Sequence, residues 1–427
     1  MDEKGKRAYL EYRQILRAGI AAQLESCTRC GICAGACSFY TETGVPEYTP
    51  IWKTELLRRA YESNYSFLGK LRDWLGMGPT WDEETLRKWS LLDYEACTNC
   101  NRCAQACPMG ISIGTLIHKA REGLAAAGMV PQELMATAQK QLAIGSPLGV
   151  SDDAFQERME WVADEYEVEI PLDKPGAEDL VVFTSIEIQK YPTGIAAIAK
   201  VLNAAGLHWT ASRQAREVTN FGTFVGDPRL TKEIALRLVN VAEKSGIQRL
   251  IISECGHAID VLRWSLPNLL GRRPTFEVEQ ITEVMAKLYQ AGRIRLKADG
   301  YSGGAITYHD PCKVVRRDGL IEEPRLLLRA LCGNRFREMW ERKEKNWCCG
   351  GGGGVISIQE ATPLRMKAFN VKVKQMADLG VEAVASSCSN CRLQFNDGIQ
   401  HYNLPIKVLS LAEMVAKALV PPGKERA

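Results

Sequence analysis

Residues 27–37 read CTRCGICAGAC, and residues 97–107 repeat the same pattern as CTNCNRCAQAC. Both runs space their cysteines as C-x2-C-x2-C-x3-C. Two matches to one four-cysteine pattern in a single region do not arise by chance. Thiols clustered at ligand spacing indicate metal centres in a reducing compartment rather than disulfides. Zinc also binds C-x2-C pairs and is the alternative metal.

The spacing is similar to that of bacterial ferredoxins, in which it surrounds a cubane 4Fe-4S cluster with thiolates. The resemblance implies two such clusters with crossed ligands, because the fourth cysteine of each run binds the other cluster. One implied ligand set is Cys27, Cys30, Cys33 and Cys107. The other is Cys97, Cys100, Cys103 and Cys37. Pro108 follows the second run, whereas Ser38 follows the first.

Size and composition allow several domains, because the chain has 427 residues of which 46% are hydrophobic. The net charge of +3 does not indicate a nucleic-acid partner. The charged N-terminus lacks the apolar segment of a secretory signal. No run of about eighteen apolar residues predicts a membrane span. We therefore expect any membrane attachment to come through a partner.

The chain changes character near residue 180. Before it, apolar residues recur every three or four positions. This spacing predicts helices over 49–64, 82–94, 111–128 and 152–166. We expect a mostly helical, two-cluster ferredoxin-like domain over residues 1–140, followed by a connector over 141–178.

Beyond residue 180, short apolar runs alternate with helical patterns, which is typical of a parallel α/β sheet. The predicted strands are 180–184, 249–253, 305–308 and 382–387. The predicted covering helices are 194–206, 228–246 and 363–380.

This half of the chain also contains an internal repeat, since IQRLIISECGHA (247–258) aligns without gaps to VEAVASSCSNCR (381–392). We expect two related α/β units, over 179–300 and 301–427, arranged as a pseudo-twofold pair. The predicted fold class is therefore α+β and multidomain, with the helical domain first.

Five further cysteines gather in the second α/β unit. They are Cys312, Cys348, Cys349, Cys388 and Cys391. Each follows a predicted strand or lies in a glycine-rich loop, and loops at the carboxyl edge of a parallel sheet gather ligands. Gly350 and Gly351, directly after the Cys-Cys pair, allow backbone N–H groups to approach a cluster or an anionic substrate closely.

The five-cysteine spacing resembles the CCG domain of heterodisulfide reductases and related iron-sulfur oxidoreductases. The resemblance covers residues 304–420 as a full copy and 180–290 as a degenerate one. It implies that the five cysteines hold one noncubane 4Fe-4S cluster that cleaves and forms disulfides. A structural zinc ion held by four of the thiols is one alternative. A thioredoxin-type redox pair of Cys388 and Cys391 is another.

The degenerate copy lacks this ligand set. The residues opposite the five cysteines are Glu187, Asn220, Phe221, Glu254 and His257. We therefore expect no noncubane cluster in this copy. The remaining thiol and imidazole, Cys255 and His257, are candidates for relaying protons or contacting a substrate thiol. The alternative is a thiol packed as a small apolar group beside a hydrogen-bonded histidine.

Two ferredoxin runs followed by a degenerate and a complete CCG copy resemble heterodisulfide reductase catalytic subunits. The single complete copy and SECGHA (253–258) bring the chain nearest to the iron-sulfur subunits of dissimilatory sulfite-reductase-linked membrane complexes of sulfur metabolism. The resemblance implies a cytoplasmic protein, peripheral on the inner face of the cell membrane. It also implies a cytochrome b-type, quinol-oxidising membrane subunit as partner, and a protein or small-molecule disulfide or trisulfide as substrate.

Two other functions remain open. One is the iron-sulfur subunit of a flavin-dependent glycolate, lactate or glycerol-3-phosphate dehydrogenase, although such subunits usually retain the cysteines in both CCG copies. The other is a docking subunit that only relays electrons and whose CCG site is structural.

Overall fold

The computed structural model describes residues 1–421, and the chain divides into two compact units. The helical unit comprises Met1–Ala136, Phe221–Arg229 and Trp347–Lys372. The sheet unit comprises Thr137–Asn220, Leu230–Asn346 and Val373–Ala427, of which 422–427 lie outside the described residues. The predicted domain boundaries at residues 140, 178 and 300 remain predictions.

The helical unit is built from short helices, as the apolar spacing predicts. Two of its helices begin with an aspartate whose side chain accepts a backbone N–H bond, Asp2 from Gly5 and Asp82 from Thr85. The α-helices are Glu3–Ile15, Ala18–Glu25, Ser38–Thr41, Pro50–Lys53, Glu55–Tyr65, Phe67–Trp74, Glu83–Ser90, Arg102–Gln105, Ile113–Ala126 and Phe221–Val225. Turns of 3-10 or π type cover Ile32–Ala36, Pro46–Tyr48, Leu91–Glu95, Val355–Ser357 and Gln359–Ala361.

The sheet unit contains two small parallel sheets, in agreement with the predicted α/β pattern. The strands are β1 Asp179–Val182, β2 Trp209–Thr210, β3 Arg249–Ile252, β4 Glu277–Gln280, β5 Ile306–Tyr308, β6 Ala383–Ser386 and β7 Lys407–Ser410. The first sheet has the order β2-β1-β3-β4 and the second the order β5-β6-β7. The register pairs Leu180 with Leu250 and Thr307 with Val384.

Helices cover these sheets because their apolar faces must be buried. Those within the unit are Asp152–Glu165, Ser185–Lys190, Pro192–Ala204, Gly256–Ile259, Leu266–Leu270, Ile281–Gln290, Cys312–Arg317, Glu322–Cys332, Ser389–His401 and Leu411–Lys417. Shorter 3-10 or π turns cover Asp260–Ser265, Gly333–Arg335 and Lys343–Lys345. Gln132–Ile144, Pro228–Lys244 and Thr362–Leu379 run through boundaries between the units.

One apolar core serves both sheets, since Val181 of β1, Ile251 of β3 and Ala385 of β6 belong to the same buried cluster. The two sheets therefore share a hydrophobic core. The predicted α+β architecture, with a helical ferredoxin-like part first, is confirmed. Over residues 1–421, the helices are all too short or too polar to cross a lipid bilayer.

Candidate iron-sulfur sites

The first cysteine pocket lies in the helical unit. Its four thiols are Cys27, Cys30, Cys33 and Cys107. Burial raises the pKa of Cys33 to about 11, and the neighbouring thiols Cys27 and Cys107 add to the rise. Cys30 is exposed, so this pocket opens to solvent.

The second cysteine pocket lies in the same unit. Four thiols of the two ferredoxin-type runs line it, those of Cys37, Cys97, Cys100 and Cys103, together with the Cys348 thiol. Cys97 and Cys103 are buried, and this burial raises the pKa of both, well above the usual range for Cys103. The structure thus groups the eight cysteines as the crossed arrangement implies, with the last thiol of each run in the other pocket.

The backbone conformation supports cluster binding in both pockets. Arg29 and Asn99 occupy the same position in the two runs and both have a left-handed backbone, with φ of 56° and 54°. Gly31 and Asn101 form a second matching pair, with φ of 78° and 62°. Such turns direct successive N–H groups inward, towards an anion. No aspartate or glutamate lines either pocket among the described residues, so both offer the soft thiolate set that iron-sulfur clusters require.

A buried lysine contacts the second cysteine pocket, and no local sequence pattern predicts this contact. Lys53 is 1% exposed and lies at the end of the Pro50–Lys53 helix. Its Nζ donates to the backbone carbonyl of Ala96 at 2.5 Å and lies 3.5 Å from Cys37 Sγ. A charge this deeply buried requires such partners.

The Cys348-Cys349 loop belongs to the helical unit and packs on the second cysteine run. Thr98 Oγ1 lies 3.2 Å from Cys348 Sγ, and Cys348 itself lines the second cysteine pocket. The Arg102 guanidinium stacks on Trp347, 3.4 Å from the ring centre. This part of the CCG motif therefore contacts the loop between Cys97 and Cys100.

The glycines of this loop are required by that packing. A Cβ on Gly353 would lie 2.5 Å from the carbonyl oxygen of Thr98, and Gly353 also has a positive φ of 64°. Gly350 has a φ of 93°, which other residues rarely adopt. The predicted role of Gly350 and Gly351 in cofactor binding remains a proposal.

Arg121 holds this arrangement together. It is 1% exposed, and its guanidinium donates to the carbonyls of Asp93, Cys97, Phe224 and Gly353 at 2.7 to 3.0 Å. One side chain thereby links the second cysteine run to two later segments of the chain. The sequence predicted a helix here but no structural role for its arginine.

The other three CCG cysteines lie in the sheet unit. Cys312 begins the Cys312–Arg317 helix shortly after β5. Cys388 is the N-cap of the Ser389–His401 helix after β6, and Cys391 lies in its first turn. Cys388 and Cys391 are buried. These positions at the carboxyl ends of β5 and β6 are those predicted for ligand-bearing loops.

Two family models match the segments that contain these cysteines. Residues 26–111 match the model of the 4Fe-4S dicluster domain, and residues 306–396 match the cysteine-rich CCG domain. The chain combines a 4Fe-4S dicluster domain with a CCG domain.

Curated proteins with similar sequences align with most of the length of this chain. The Hdr-like menaquinol oxidoreductase iron-sulfur subunit of Archaeoglobus profundus is 28% identical, over 93% of this chain and 79% of that protein. One of the subunits of the dihydromethanophenazine:CoB--CoM heterodisulfide reductase of Methanosarcina barkeri is also 28% identical, over 93% of this chain and 94% of its own. The EtfAB:quinone oxidoreductase of Syntrophomonas wolfei is 26% identical, over 76% of this chain and 46% of that protein.

The degenerate copy retains one thiol, that of Cys255, which interacts electrostatically with Cys388. Cys255 is the N-cap of the Gly256–Ile259 helix after β3, as Cys388 is after β6. The turn between β3 and Cys255 is one residue longer than the turn between β6 and Cys388. The gap-free alignment therefore places Cys388 opposite Glu254 and not opposite Cys255. Burial, and next the Cys388 thiol, raise the pKa of Cys255 well above its usual range. His257 Nε2 lies 3.1 Å from the backbone oxygen of Asn220.

Two of the aligned positions, Glu187 and Glu254, belong to a buried network of hydrogen bonds with one ion pair. Glu254 lies 3.0 Å from the guanidinium of Arg392, the residue after Cys391, and accepts bonds from Ser410 Oγ and the Ala412 N–H. Glu187 accepts a 2.5 Å bond from Ser253 Oγ and one from the Glu254 N–H. Burial outweighs the arginine and raises the pKa of Glu254 to about 7.

Proposed function

We propose that this chain is the iron-sulfur electron-transfer subunit of a membrane-associated oxidoreductase of heterodisulfide-reductase type. Two cubane 4Fe-4S clusters, in the first and second cysteine pockets, would connect a quinol-linked partner with a noncubane 4Fe-4S cluster. The ligands of the noncubane cluster would be Cys312, Cys348, Cys349, Cys388 and Cys391. At that cluster a disulfide or trisulfide would be reduced or formed.

The observation that carries the proposal is the contact between Thr98 Oγ1 and Cys348 Sγ. Thr98 lies between two ligands of one proposed cubane, and Cys348 is a ligand of the proposed noncubane cluster. A 3.2 Å contact leaves no gap between the two ligand sets at this point. Electrons arriving in the second cysteine pocket would therefore have a short route to Cys348.

The numbers of electrons and protons are consistent with this electron-transfer path. A disulfide takes up two electrons and two protons to become two thiols, and a quinol releases the same number when it is oxidised to a quinone. A cubane passes one electron at a time, so the CCG site would collect two electrons in succession. Cys255 stays protonated at neutral pH because of its raised pKa. We propose that His257 relays a proton to the departing sulfur, and that Cys255 contacts the substrate as a neutral thiol rather than attacking it.

The proposed partner is a cytochrome b-type, quinol-oxidising subunit embedded in the membrane. The relative from Archaeoglobus profundus, a menaquinol oxidoreductase subunit by name, supports a quinol-linked complex of this kind. We place the chain in the cytoplasm, on the inner face of the cell membrane, and attached through that partner.

An exposed apolar helix offers a surface for this partner. Phe67, Leu68 and Trp74 of the Phe67–Trp74 helix are 79%, 72% and 80% exposed. Because an α-helix turns by about 100° per residue, these three side chains and Leu71 lie on one face of the helix, within an arc of roughly 120°. Lys70 borders this arc, and an aromatic and aliphatic arc edged by a cation suits a protein surface at the membrane boundary.

Replacing both Phe67 and Trp74 with serine is expected to weaken binding to native membrane vesicles at least tenfold. A buried tryptophan at an interface contributes about 2 kcal/mol or more, which exceeds a factor of ten in Kd. Co-sedimentation of the intact chain with vesicles from its host cell measures this. Trp340→Ser, at a 78% exposed tryptophan outside the helix, is the matched control. Equal binding to protein-free liposomes of host lipid would assign the helix to the bilayer instead.

The proposed reaction is tested by titrating the oxidised holoprotein with a thiol and then with a disulfide. We expect a new paramagnetic signal under EPR that disappears in Cys388→Ser, while both cubane signals remain. No new signal with any thiol would leave the protein a relay whose CCG site is structural. Co-purification with a flavoprotein instead of a cytochrome would favour the flavin-dependent alternative, which the EtfAB:quinone oxidoreductase relative keeps open.

A further inference from the structure

The two cysteine pockets differ in their charged surroundings. Arg29 is the cation that lines the first pocket, and its side chain is 46% exposed and paired with Glu55 at 2.8 Å. The second pocket is lined by Lys53 and Arg102, which are only 1% and 7% exposed. Water screens the first charge but hardly screens the other two.

Lys53 is directed at the sulfur ligands. Its Nζ lies 3.5 Å from Cys37 Sγ and is held there by the 2.5 Å bond to the Ala96 carbonyl, next to Cys97. The Phe39 ring, 5.4 Å from Nζ, closes the other side. The cation therefore has one fixed position at the ligand sphere of the second pocket.

The buried carboxyl of Asp93, which interacts electrostatically with Lys53, does not cancel this charge. Asp93 is fully buried, and burial raises its pKa well above the usual range, which favours the uncharged form of this carboxyl. Lys53 is thus a net positive charge in a region of low dielectric constant. Its interaction with a nearby charge is several times stronger there than in water.

We infer that Lys53 raises the reduction potential of the cubane held in the second cysteine pocket. Reduction adds one electron, and hence one negative charge, to a cubane, and a fixed cation stabilises that form. Burial alone would lower the potential of the second pocket relative to the open first one. Lys53 offsets this penalty, so that an electron arriving at the first pocket can move on to the second. The inference rests on the cubane part of the proposed function and not on the sulfur chemistry.

The test is an EPR-monitored redox titration of the intact holoprotein with dithionite as reductant. Lys53→Gln keeps a donor for the Ala96 carbonyl but removes the charge. We expect its reduction equilibrium to shift at least tenfold towards the oxidised form for one cubane only, which is about 59 mV for a one-electron couple. Lys53→Arg keeps the charge, so the reduction potential of this cubane should stay near its wild-type value. Arg29→Met should leave the same cubane unshifted.

Unchanged titrations in Lys53→Gln, or an equal shift in Lys53→Arg, would overturn the inference. Lys53→Met is the second neutral variant, and iron analysis accompanies each titration. Loss of about four irons in both neutral variants would show that Lys53 serves cluster assembly instead, which also overturns it. None of these readouts uses a disulfide, so failure of the sulfur chemistry would leave this result intact.

Discussion

Serine at both Cys348 and Cys349 is expected to lower the iron content of the purified protein from about twelve atoms per chain to about eight. The two thiols are adjacent and buried, and they are proposed ligands of the noncubane cluster. Serine retains the size of the side chain but offers a poor ligand for iron-sulfur clusters. Iron and zinc analysis of anaerobically purified protein measures the change. Disulfide-dependent EPR signals should disappear with the four irons.

The matched control is Cys332→Ser, which alters another fully buried cysteine, at the end of the Glu322–Cys332 helix. Its iron content should remain at about twelve. Because Cys348 also lines the second cysteine pocket, the cubane signals must be recorded in the double variant. Loss of one zinc with no loss of iron would identify the CCG site as structural. A fall to about four irons would show that the loop also supports a cubane.

The parts of the molecule that the sequence predicted are those encoded locally. The cysteine runs have fixed spacing, and β1, β3, β5 and β6 are short apolar segments followed by turns and helices. Strand-helix alternation is visible within a few dozen residues, so the α/β pattern and its repeat could be recognised. The short strands β2, β4 and β7 were not predicted, because β2 has two residues and the other two carry charged or polar side chains.

The site residues that escaped prediction act through distant contacts. Lys53 contacts Cys37 and Ala96, and Thr98 contacts Cys348, 250 residues away in the chain. No spacing rule connects such positions, since only the folded backbone brings them together. At Gly353 the close approach is to the Thr98 carbonyl, a contact that the sequence did not predict. Polar residues buried among ligands are therefore visible only in the structure.

Arg121 is the second residue for which we expect a large effect. Its guanidinium satisfies the carbonyls of Asp93, Cys97, Phe224 and Gly353, all of them in the helical unit. Arg121→Met removes all these donors and leaves buried carbonyls unpaired. Each of these four losses costs about 1 kcal/mol at the lower end of the usual range, so a total of about 4 kcal/mol or more is expected. The apparent Tm of the helical unit in the holoprotein should fall by about 10 °C, at roughly 2 to 4 °C per kcal/mol for a unit of this size.

Thermal unfolding under anaerobic conditions measures this, with Arg87→Met as the control. Arg87 is an exposed arginine of the same unit, 76% accessible in its side chain, so its variant should unfold within a degree or two of wild type. Arg121→Lys separates charge from geometry, because one ammonium group cannot reach four carbonyls as a planar guanidinium does. Wild-type stability in Arg121→Lys would mean that charge alone matters at this site.

One of the lost hydrogen bonds ends on the Cys97 carbonyl. When Arg121→Met is heated, we therefore expect the cubane of the second cysteine pocket to be lost before the other cubane. Simultaneous loss of both cubanes in Arg121→Met would contradict a local role for this residue.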